Sequence, residues 1–302
     1  MIEVNSLRKE YGEFVAVDQL SFNVKKGEIF GIVGPNGAGK TTTLKMLSGL
    51  VRPTAGSIWI NGVDLSTDPV RVKSILGFLP EESPLYEGMY VEDYLLFFGE
   101  LYDVDKATAR KRINSLLTDL SLNAAGKRIG DLSKGMRRKV AIARSLINDP
   151  QLLIYDEPGS GLDPMTSRFI TEYIRSLKEK GKTIIFSAHN LYQMEKLCDR
   201  ILIIKDGKQV TLGSASQIRK EHSRVLYRLE FMIEDIADLY VEGVKRLEDR
   251  YVLVTADMAI VNDITGRVAT NGGRIIEMRT IEPALEEVFL ELMGVDLTRN
   301  DG

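Results

Sequence analysis

The sequence has a single cysteine and little net charge. Cys198 has no partner among its 302 residues, so no disulfide forms within the chain. The absence of disulfides is typical of a reducing compartment such as the cytosol. The net charge at pH 7 is only −3, so no overall positive field favours binding to nucleic acid.

Long hydrophobic runs are also missing. The longest purely apolar runs, such as Ile201–Ile204, fall far short of the roughly 20 residues that a membrane-spanning helix needs. The first residues, MIEVNSLRKEYGEF, lack the apolar segment of a secretory signal, so we expect no signal peptide. If the protein works at a membrane, we expect it to do so through a partner.

The remaining composition is ordinary for a folded protein with sizeable cores, with 44% hydrophobic and 27% charged residues. A length of 302 residues favours two domains, since domains average about 150 residues.

The most informative segment is GPNGAGKTT, residues 34–42, which matches the phosphate-binding pattern G-x-x-x-x-G-K-[ST]. Its glycines let the backbone turn so that successive N–H groups point at a phosphate. Lys40 supplies a positive charge for the β- and γ-phosphates, and Thr41 supplies a hydroxyl for Mg²⁺. We predict a nucleoside triphosphate site formed by Gly34, Pro35, Asn36, Gly37, Ala38, Gly39, Lys40, Thr41 and Thr42.

The surrounding segments predict an α/β fold. The apolar run 28–33 predicts a buried strand before the loop, and TTLKMLSGL predicts a helix after it, with Leu44, Leu47 and Leu50 on one face. Other apolar runs predict buried parallel strands at 152–155, 184–186 and 201–204.

Three other regions have different patterns. The first 26 residues alternate apolar and polar positions and predict antiparallel strands. Asp206-Gly207 lies between two strand-like runs and predicts a hairpin. Residues 83–145 have helical periodicity and predict a helical insertion in the α/β core.

Two carboxylates, Asp156 and Glu157, follow the apolar run 152–155. They lie at the carboxyl end of a predicted buried strand, where α/β sheets bind ligands. Asp156 can hold Mg²⁺, directly or through water, and Glu157 can orient or deprotonate the attacking water. Such a pair can also simply mark a strand end, but the phosphate loop earlier in the chain favours the catalytic interpretation.

Four shorter signals each have a structural alternative. LSKGM, residues 132–136, could be a helix N-terminus capped by Ser133, and SGLD, residues 160–163, could be a turn or a cap. His189 could be a core histidine with satisfied hydrogen bonds, and Tyr11 could be a packing aromatic. Their joint occurrence in this order favours function.

With six motifs in this order and spacing, residues 1–215 resemble the ATP-binding subunit of ABC transporters. The resemblance implies that ATP is the nucleotide and Mg²⁺ the metal. It also implies specific residue roles: Lys40, Glu157 and His189 in catalysis, Tyr11 in adenine stacking, and Thr41 and Asp156 in magnesium binding.

The segment 132–136, which we call the signature segment, implies a second subunit. Ser133 and Gly135 begin a predicted helix, so their N–H groups and the helix dipole can bind an anion. Residues 34–42 already hold a phosphate, so the resemblance implies that these two residues reach the γ-phosphate on another molecule. Two ATP-binding subunits, copies or paralogues, would face head to tail, with Asp163 in the loop joining the sites. ATP would close the dimer and hydrolysis would open it.

Two positions depart from the family's commonest pattern. The glutamine expected after GFLP is Glu81, and we hypothesise that it helps to position Mg²⁺, although the adjacent Glu82 could take its place. The signature segment has Lys134, which could add charge near the γ-phosphate or point to solvent; we favour solvent. Both departures resemble the exporter branch that handles drugs, antibiotics, sodium or polysaccharides.

The resemblance implies an α/β P-loop NTPase core with an antiparallel β subdomain, and an ATP-binding domain over residues 1–218. It implies a separate integral-membrane permease as partner and a peripheral cytoplasmic location on the inner face of the cell membrane. SPLYEGMY, within residues 83–94, is the candidate coupling surface, although it could also pack in the helical core. The alternative is a soluble ABC ATPase that acts on nucleic acid or ribosomes, which we do not expect because the chain has no basic stretch.

The last third, residues 224–302, predicts a separate α+β domain. Its pattern βαββαβ plus a helix suggests a ferredoxin-like fold. The predicted elements are a strand at 225–231, a short helix at Ile236–Tyr240, a hairpin in GVKRLEDRYVLVTA, a helix through Val261, Ile264 and Val268, the strand RIIEMRTI and a closing helix. We find no catalytic cluster in it, and its role in dimerisation, regulation or docking stays open.

Overall fold

The computed structural model describes residues 1–188, 190–222, 226–234, 243–281 and 283–294. The chain divides into two compact units, Met1–Ala215 and Ser216–Gly302. Across the described residues, no helix is long and apolar enough to span a membrane.

The elements of the first unit are, in chain order, β1 (Ile2–Tyr11), β2 (Phe14–Val24), β3 (Ile29–Val33), α1 (Lys40–Leu47), β4 (Ala55–Ile60), β5 (Val63–Asp64), α2 (Pro69–Ser74), β6 (Leu76–Leu79), α3 (Val91–Leu101), α4 (Lys106–Asp119), α5 (Lys134–Leu146), β7 (Leu152–Tyr155), α6 (Pro164–Glu179), β8 (Thr183–Ser187), α7 (Leu191–Leu197), β9 (Arg200–Lys205) and β10 (Lys208–Gly213). Helix α8 (Ala215–His222) spans the division between the units.

A six-stranded sheet of order β10-β9-β3-β8-β7-β6 forms the centre of the first unit. Its strands are parallel except β10, which pairs antiparallel with β9. The predicted parallel strands are therefore confirmed. Asp206 and Gly207 both have positive φ and make the predicted hairpin between β9 and β10. Strand β6 was not predicted, because its apolar sequence is short and contains Gly77.

The antiparallel strands predicted in the first 26 residues are β1 and β2, which join β4 and β5 in a second sheet. The main hydrophobic core lies between the two sheets around α1, where the rings of Phe22 and Phe30 stack 5.3 Å apart. Because strands such as β3 are buried along their whole length, their sequences are continuously apolar.

The helices predicted over residues 83–145 are α3, α4 and α5, while residues 83–90 are irregular. The prediction that Leu50 extends the apolar face of α1 is wrong. The helix ends at Leu47, Gly49 follows with φ of 69°, and Leu50 is 59% exposed. A glycine in this conformation ends a helix and turns the chain away.

The described elements of the second unit are β11 (Leu226–Met232), β12 (Val244–Leu247), β13 (Arg250–Thr255), α9 (Met258–Thr270), β14 (Arg274–Ile281) and α10 (Leu285–Leu292). Its antiparallel sheet has the order β12-β13-β11-β14, which is the strand order of a ferredoxin-like fold. Val261, Ile264 and Val268 of α9 pack on this sheet, as their spacing predicted. The helix predicted at 236–240 and residue 225 lie outside the described residues.

Candidate nucleotide-binding site

The phosphate loop connects β3 to α1, so that the helix N-terminus faces the loop. Gly39 caps the helix with φ of 98°, and a Cβ there would lie 2.5 Å from the carbonyl oxygen of Ala16. A Cβ at Gly34 would lie 2.2 Å from the carbonyl oxygen of Ile204. Only glycine fits either position. The free N–H groups at the start of α1 form a site for an anion.

Lys40 is buried beneath this loop. Its Nζ donates hydrogen bonds to the carbonyl oxygens of Gly34, at 2.7 Å, and Pro35, at 3.1 Å. Burial lowers the pKa of Lys40, and the carboxylates of Glu157, Asp156 and Glu81 oppose this shift. The lysine thus shares an electrostatic environment with all three predicted carboxylates.

A cavity of about 490 Å³ opens above the loop. Its lining brings together the phosphate loop, two carboxylates and an aromatic side chain: Phe14, Ala16, Asn36, Gly37, Ala38, Gly39, Lys40, Thr41, Thr42, Glu81 and Glu157. Segments far apart in sequence therefore meet where a triphosphate would lie.

Asp156 and Glu157 lie at the carboxyl end of β7, both buried. One hydroxyl organises them, since Ser187 Oγ donates to Asp156 Oδ1 at 2.6 Å and accepts from the Glu157 N–H at 3.0 Å. Glu157 has φ of 45°, a conformation that costs free energy in a non-glycine residue and occurs often at functional sites.

Asp156 has the features of a magnesium ligand. Its Oδ2 is buried and accepts no hydrogen bond within the described part of the chain. That same part contains no group of three or more histidine, cysteine or acidic side chains arranged to hold a metal. Mg²⁺ needs no such group, because it binds one or two carboxylates and takes its other ligands from water and phosphate. The residues present therefore fit Mg²⁺ bound together with a nucleotide.

Comparison with known proteins decides the family. The family model described as ABC transporter matches residues 17–160, and one described as the C-terminal domain of ATP-binding protein DrrA1-3-like matches residues 213–293. The chain is 35% identical to the Nod factor export ATP-binding protein I of Rhizobium sp. (strain N33), over 99% of this chain and 98% of that protein.

The chain belongs to the ATP-binding proteins of the ABC transporter family.

A second relative of this ABC ATPase is the linearmycin resistance ATP-binding protein LnrL of Bacillus subtilis (strain 168), 31% identical over 97% of this chain and 98% of that protein. Solved structures share the fold. The ATP-binding subunit of an ABC transporter aligns at TM-score 0.68 and 33% identity, covering 73% of this chain and 92% of that one. A dimeric cassette with ADP and Pi aligns at TM-score 0.63 and 27% identity, covering 71% and 98%.

Ser133, Gly135 and Asp163 of the ABC ATPase lie outside the lining of its own phosphate cavity. Ser133 caps α5 and accepts from the Met136 N–H at 3.3 Å, while Asp163 caps α6 and accepts from the Thr166 N–H at 2.9 Å. The structural alternatives considered for both motifs are therefore real features of the fold. Since a cap leaves the other N–H groups of the first turn free, an additional role on a second molecule stays a prediction.

Gly135 of the signature segment packs against the first turn of α6, and Lys134 packs against the loop that precedes this helix. A Cβ at Gly135 would lie 3.2 Å from the side chain of Thr166, and a Cβ at Gly161 would lie 2.5 Å from Lys134 Nζ. Lys134 is exposed, as expected, but its ammonium lies against the loop at Gly161 rather than in open solvent.

Tyr11, the predicted adenine contact, lies next to a second aromatic residue, Phe14, that the sequence did not indicate. Tyr11 is 51% exposed and lies under the ammonium of Lys9. Phe14, paired with Tyr11 across the turn between β1 and β2, is also exposed, and it is Phe14 that lines the cavity. Stacking by Tyr11 stays a prediction. His189 lies outside the described residues.

Ser187 was also missed by the sequence interpretation. In the sequence it is simply a hydroxyl at the end of the apolar run TIIFS. The hydroxyl can reach Asp156 and Glu157 because β8 pairs with β7.

We expect Ser187→Ala to lower the free energy of unfolding by about 1–3 kcal/mol, because it leaves a buried carboxylate oxygen and a buried N–H without their partner. Ser176→Ala is the matched control, since it removes a helical Ser hydroxyl that donates to the carbonyl oxygen of Tyr173 and contacts neither carboxylate in the described part of the chain. Urea unfolding of both variants measures the difference. Equal stability of the two variants would contradict a structural role for Ser187.

Proposed function

We propose that this ABC ATPase powers export through a separate membrane permease. The observation that supports export best is the extent of its similarity to the Nod factor export protein, which runs over 99% of this chain. The linearmycin resistance protein is similar over 97%. Both alignments therefore include the C-terminal unit. The transported compound is selected by the permease.

The phosphates would be held by the loop N–H groups, the N-terminus of α1 and Lys40. Lys40 now donates to two loop carbonyls, so it needs only to redirect its ammonium towards the phosphates. Thr41 and Asp156 would hold Mg²⁺, with Glu81 nearby, and the metal would neutralise charge on the phosphates.

Glu157 would accept a proton from the attacking water as the water oxygen bonds to the γ-phosphorus. The bond from the γ-phosphorus to the bridging oxygen breaks, and its electron pair leaves with ADP. The geometry at Ser187 holds the backbone of Glu157 in place, so the base does not have to be ordered during the reaction. His189 is also proposed to take part in ATP hydrolysis, as the histidine that follows strand β8.

Ser133 and Gly135 of a second subunit would complete the site, with Asp163 in the loop between the two sites. Their absence from the lining of the chain's own cavity supports this proposal. Since each site would need two subunits, ATP would favour the closed dimer and hydrolysis would release it.

The proposed coupling surface lies on the helical insertion. Tyr86, Tyr94, Phe97 and Phe98 form an aromatic cluster with ring centroids 4.9–6.3 Å apart. Tyr94 is buried, whereas Tyr86 is 56% exposed. An exposed aromatic that leads into a packed cluster is typical of a protein interface. Within residues 83–94, Tyr94 therefore packs in the helical core, whereas Tyr86, in the segment SPLYEGMY, is available for a partner.

Co-purification tests the proposal. We expect the protein to be isolated from detergent-solubilised membranes together with a polytopic membrane protein, and we expect Tyr86→Asp to lose this partner while the basal ATPase rate is kept. Trp59→Asp, which changes an exposed aromatic on β4, is the matched control. Stable association with ribosomes or DNA instead would favour the alternative ABC ATPase class, which neither the net charge of −3 nor the relatives support.

A further inference from the structure

The guanidinium of Arg138, on the first turns of α5, is buried among backbone carbonyl groups. Its Nε donates to Pro158 at 2.9 Å, and its Nη2 donates to Asp156 at 3.0 Å and Glu157 at 2.8 Å. Its Nη1 donates to Pro80 at 2.7 Å and Glu81 at 2.9 Å. The five N–H groups of the guanidinium therefore meet five carbonyl oxygens.

This arrangement is costly to assemble and specific to arginine. Arg138 is 8% exposed, and burial lowers its pKa to about 10, so the group still carries its charge at neutral pH. A buried charge is tolerated only when hydrogen bonds replace its water. Lysine has three donors and no planar fork, so it cannot reproduce the five contacts.

The five carbonyls belong to two segments that carry the reaction. Pro80 and Glu81 follow β6, whereas Asp156, Glu157 and Pro158 follow the adjacent strand β7. These segments hold the proposed metal carboxylate, the proposed base and the Glu81 carboxylate. Arg138 also fixes the carbonyl of Glu157 in its positive-φ conformation. A backbone held in such a conformation needs surrounding contacts to persist.

We propose that Arg138 is a positioning residue for ATP hydrolysis. It sets the spacing between the strand ends that carry Glu81 and the pair Asp156 and Glu157, and it anchors both to α5. The inference rests on the proposed roles of these carboxylates. In this role Arg138 makes no contact with the nucleotide, since all five of its guanidinium N–H groups already donate to carbonyl oxygens.

The position of Arg138 on α5 connects the site to the helical insertion. Two turns further along, Arg144 Nη1 donates to Tyr94 Oη at 2.9 Å and the guanidinium lies 5.4 Å from the ring of Phe98. One helix thus carries an arginine at the catalytic strand ends and another at the aromatic cluster. A movement of α5 at the aromatic cluster would therefore also move Arg138, and with it the backbone that carries Glu81, Asp156 and Glu157.

Steady-state kinetics of Arg138→Gln and Arg138→Lys test the proposal. We expect Arg138→Gln to lower kcat by about 100-fold, because a small displacement of reacting groups has effects of this size. KM for ATP should change by less than about threefold, since the phosphate loop is not altered. The Mg²⁺ concentration for half-maximal rate should rise. Arg138→Lys keeps the charge without the fork and should fall between Arg138→Gln and the parent.

Arg112→Gln is the matched control, because Arg112 donates one guanidinium hydrogen bond to the carbonyl of Ile147 in the helical insertion. It should keep the parental kcat. The proposal is wrong if Arg138→Lys folds with the parental melting temperature and hydrolyses ATP at the parental rate. It is also wrong if kcat, ATP affinity and melting temperature of both Arg138 variants fall together, which would show a role in folding alone. Glu157→Gln, measured in parallel, separates these outcomes from failure of the proposed base.

Discussion

Glu157→Gln is expected to reduce ATP hydrolysis by about 10²–10⁴-fold, the contribution of a general base. Glutamine has nearly the same shape and keeps the backbone contacts to Ser187 and Arg138, but it cannot accept the proton of the attacking water. ATP binding should persist, because the phosphate loop and Lys40 are unchanged. Hydrolysis is measured by phosphate release and binding by a fluorescent nucleotide.

The same substitution should also trap the closed dimer, since the step that opens it is blocked. Light scattering after size exclusion should show a dimer with ATP and Mg²⁺ and its loss when EDTA is added. Glu3→Gln, a change of an exposed carboxylate on β1, is the control and should leave turnover unchanged. Turnover of Glu157→Gln at the parental rate would remove Glu157 from the role of base.

Mixing two inactive chains is expected to restore hydrolysis. Lys40→Ala removes the charge proposed to hold the phosphates, and Gly135→Asp places a carboxylate where the γ-phosphate of the partner would bind. Each variant alone should lose nearly all turnover. In a mixed dimer, one site loses both residues, whereas the other combines Lys40 of one chain with Gly135 of its partner. That intact site should hydrolyse ATP.

Co-expressed chains with different affinity tags, purified in two steps, provide the mixed dimer for the measurement. The control is a chain that carries both substitutions, mixed with either single variant, since neither of its dimers contains an intact site. If the Lys40→Ala and Gly135→Asp chains form mixed dimers that remain inactive, the composite site is not built as proposed.

The strand, loop and helix around residues 34–42 were predictable because these parts are local. Residues 34–42 determine their own loop, and the flanking apolar run and helix follow directly in the chain. Strand β7, which ends just before Asp156, was predictable for the same reason, since it consists of four consecutive buried apolar residues. Leu50 shows the limit of this approach, because helical spacing continued past the point where Gly49 turns the chain.

Ser187, Arg138 and Phe14 were not predictable in this way. The hydroxyl of Ser187 acts on Asp156 only because parallel pairing places β8 beside β7. Arg138 looks like one of several basic residues on an amphipathic helix, and its carbonyl partners are 18–58 residues away. Phe14 reaches the cavity because the turn between β1 and β2 lies beside the phosphate loop.

The amino-acid sequence by itself determined the chemistry of the protein: a phosphate loop, two carboxylates at a strand end, and the order of motifs shared with ABC ATPases. Those features depend on residue type and on short spacings along the chain, and both can be identified from the sequence without knowledge of the fold. Only the tertiary structure decided how the carboxylates are held. Hydrogen bonds from Ser187 and Arg138 form between segments that strand pairing and helix packing bring together, and such contacts leave no periodic trace in the sequence.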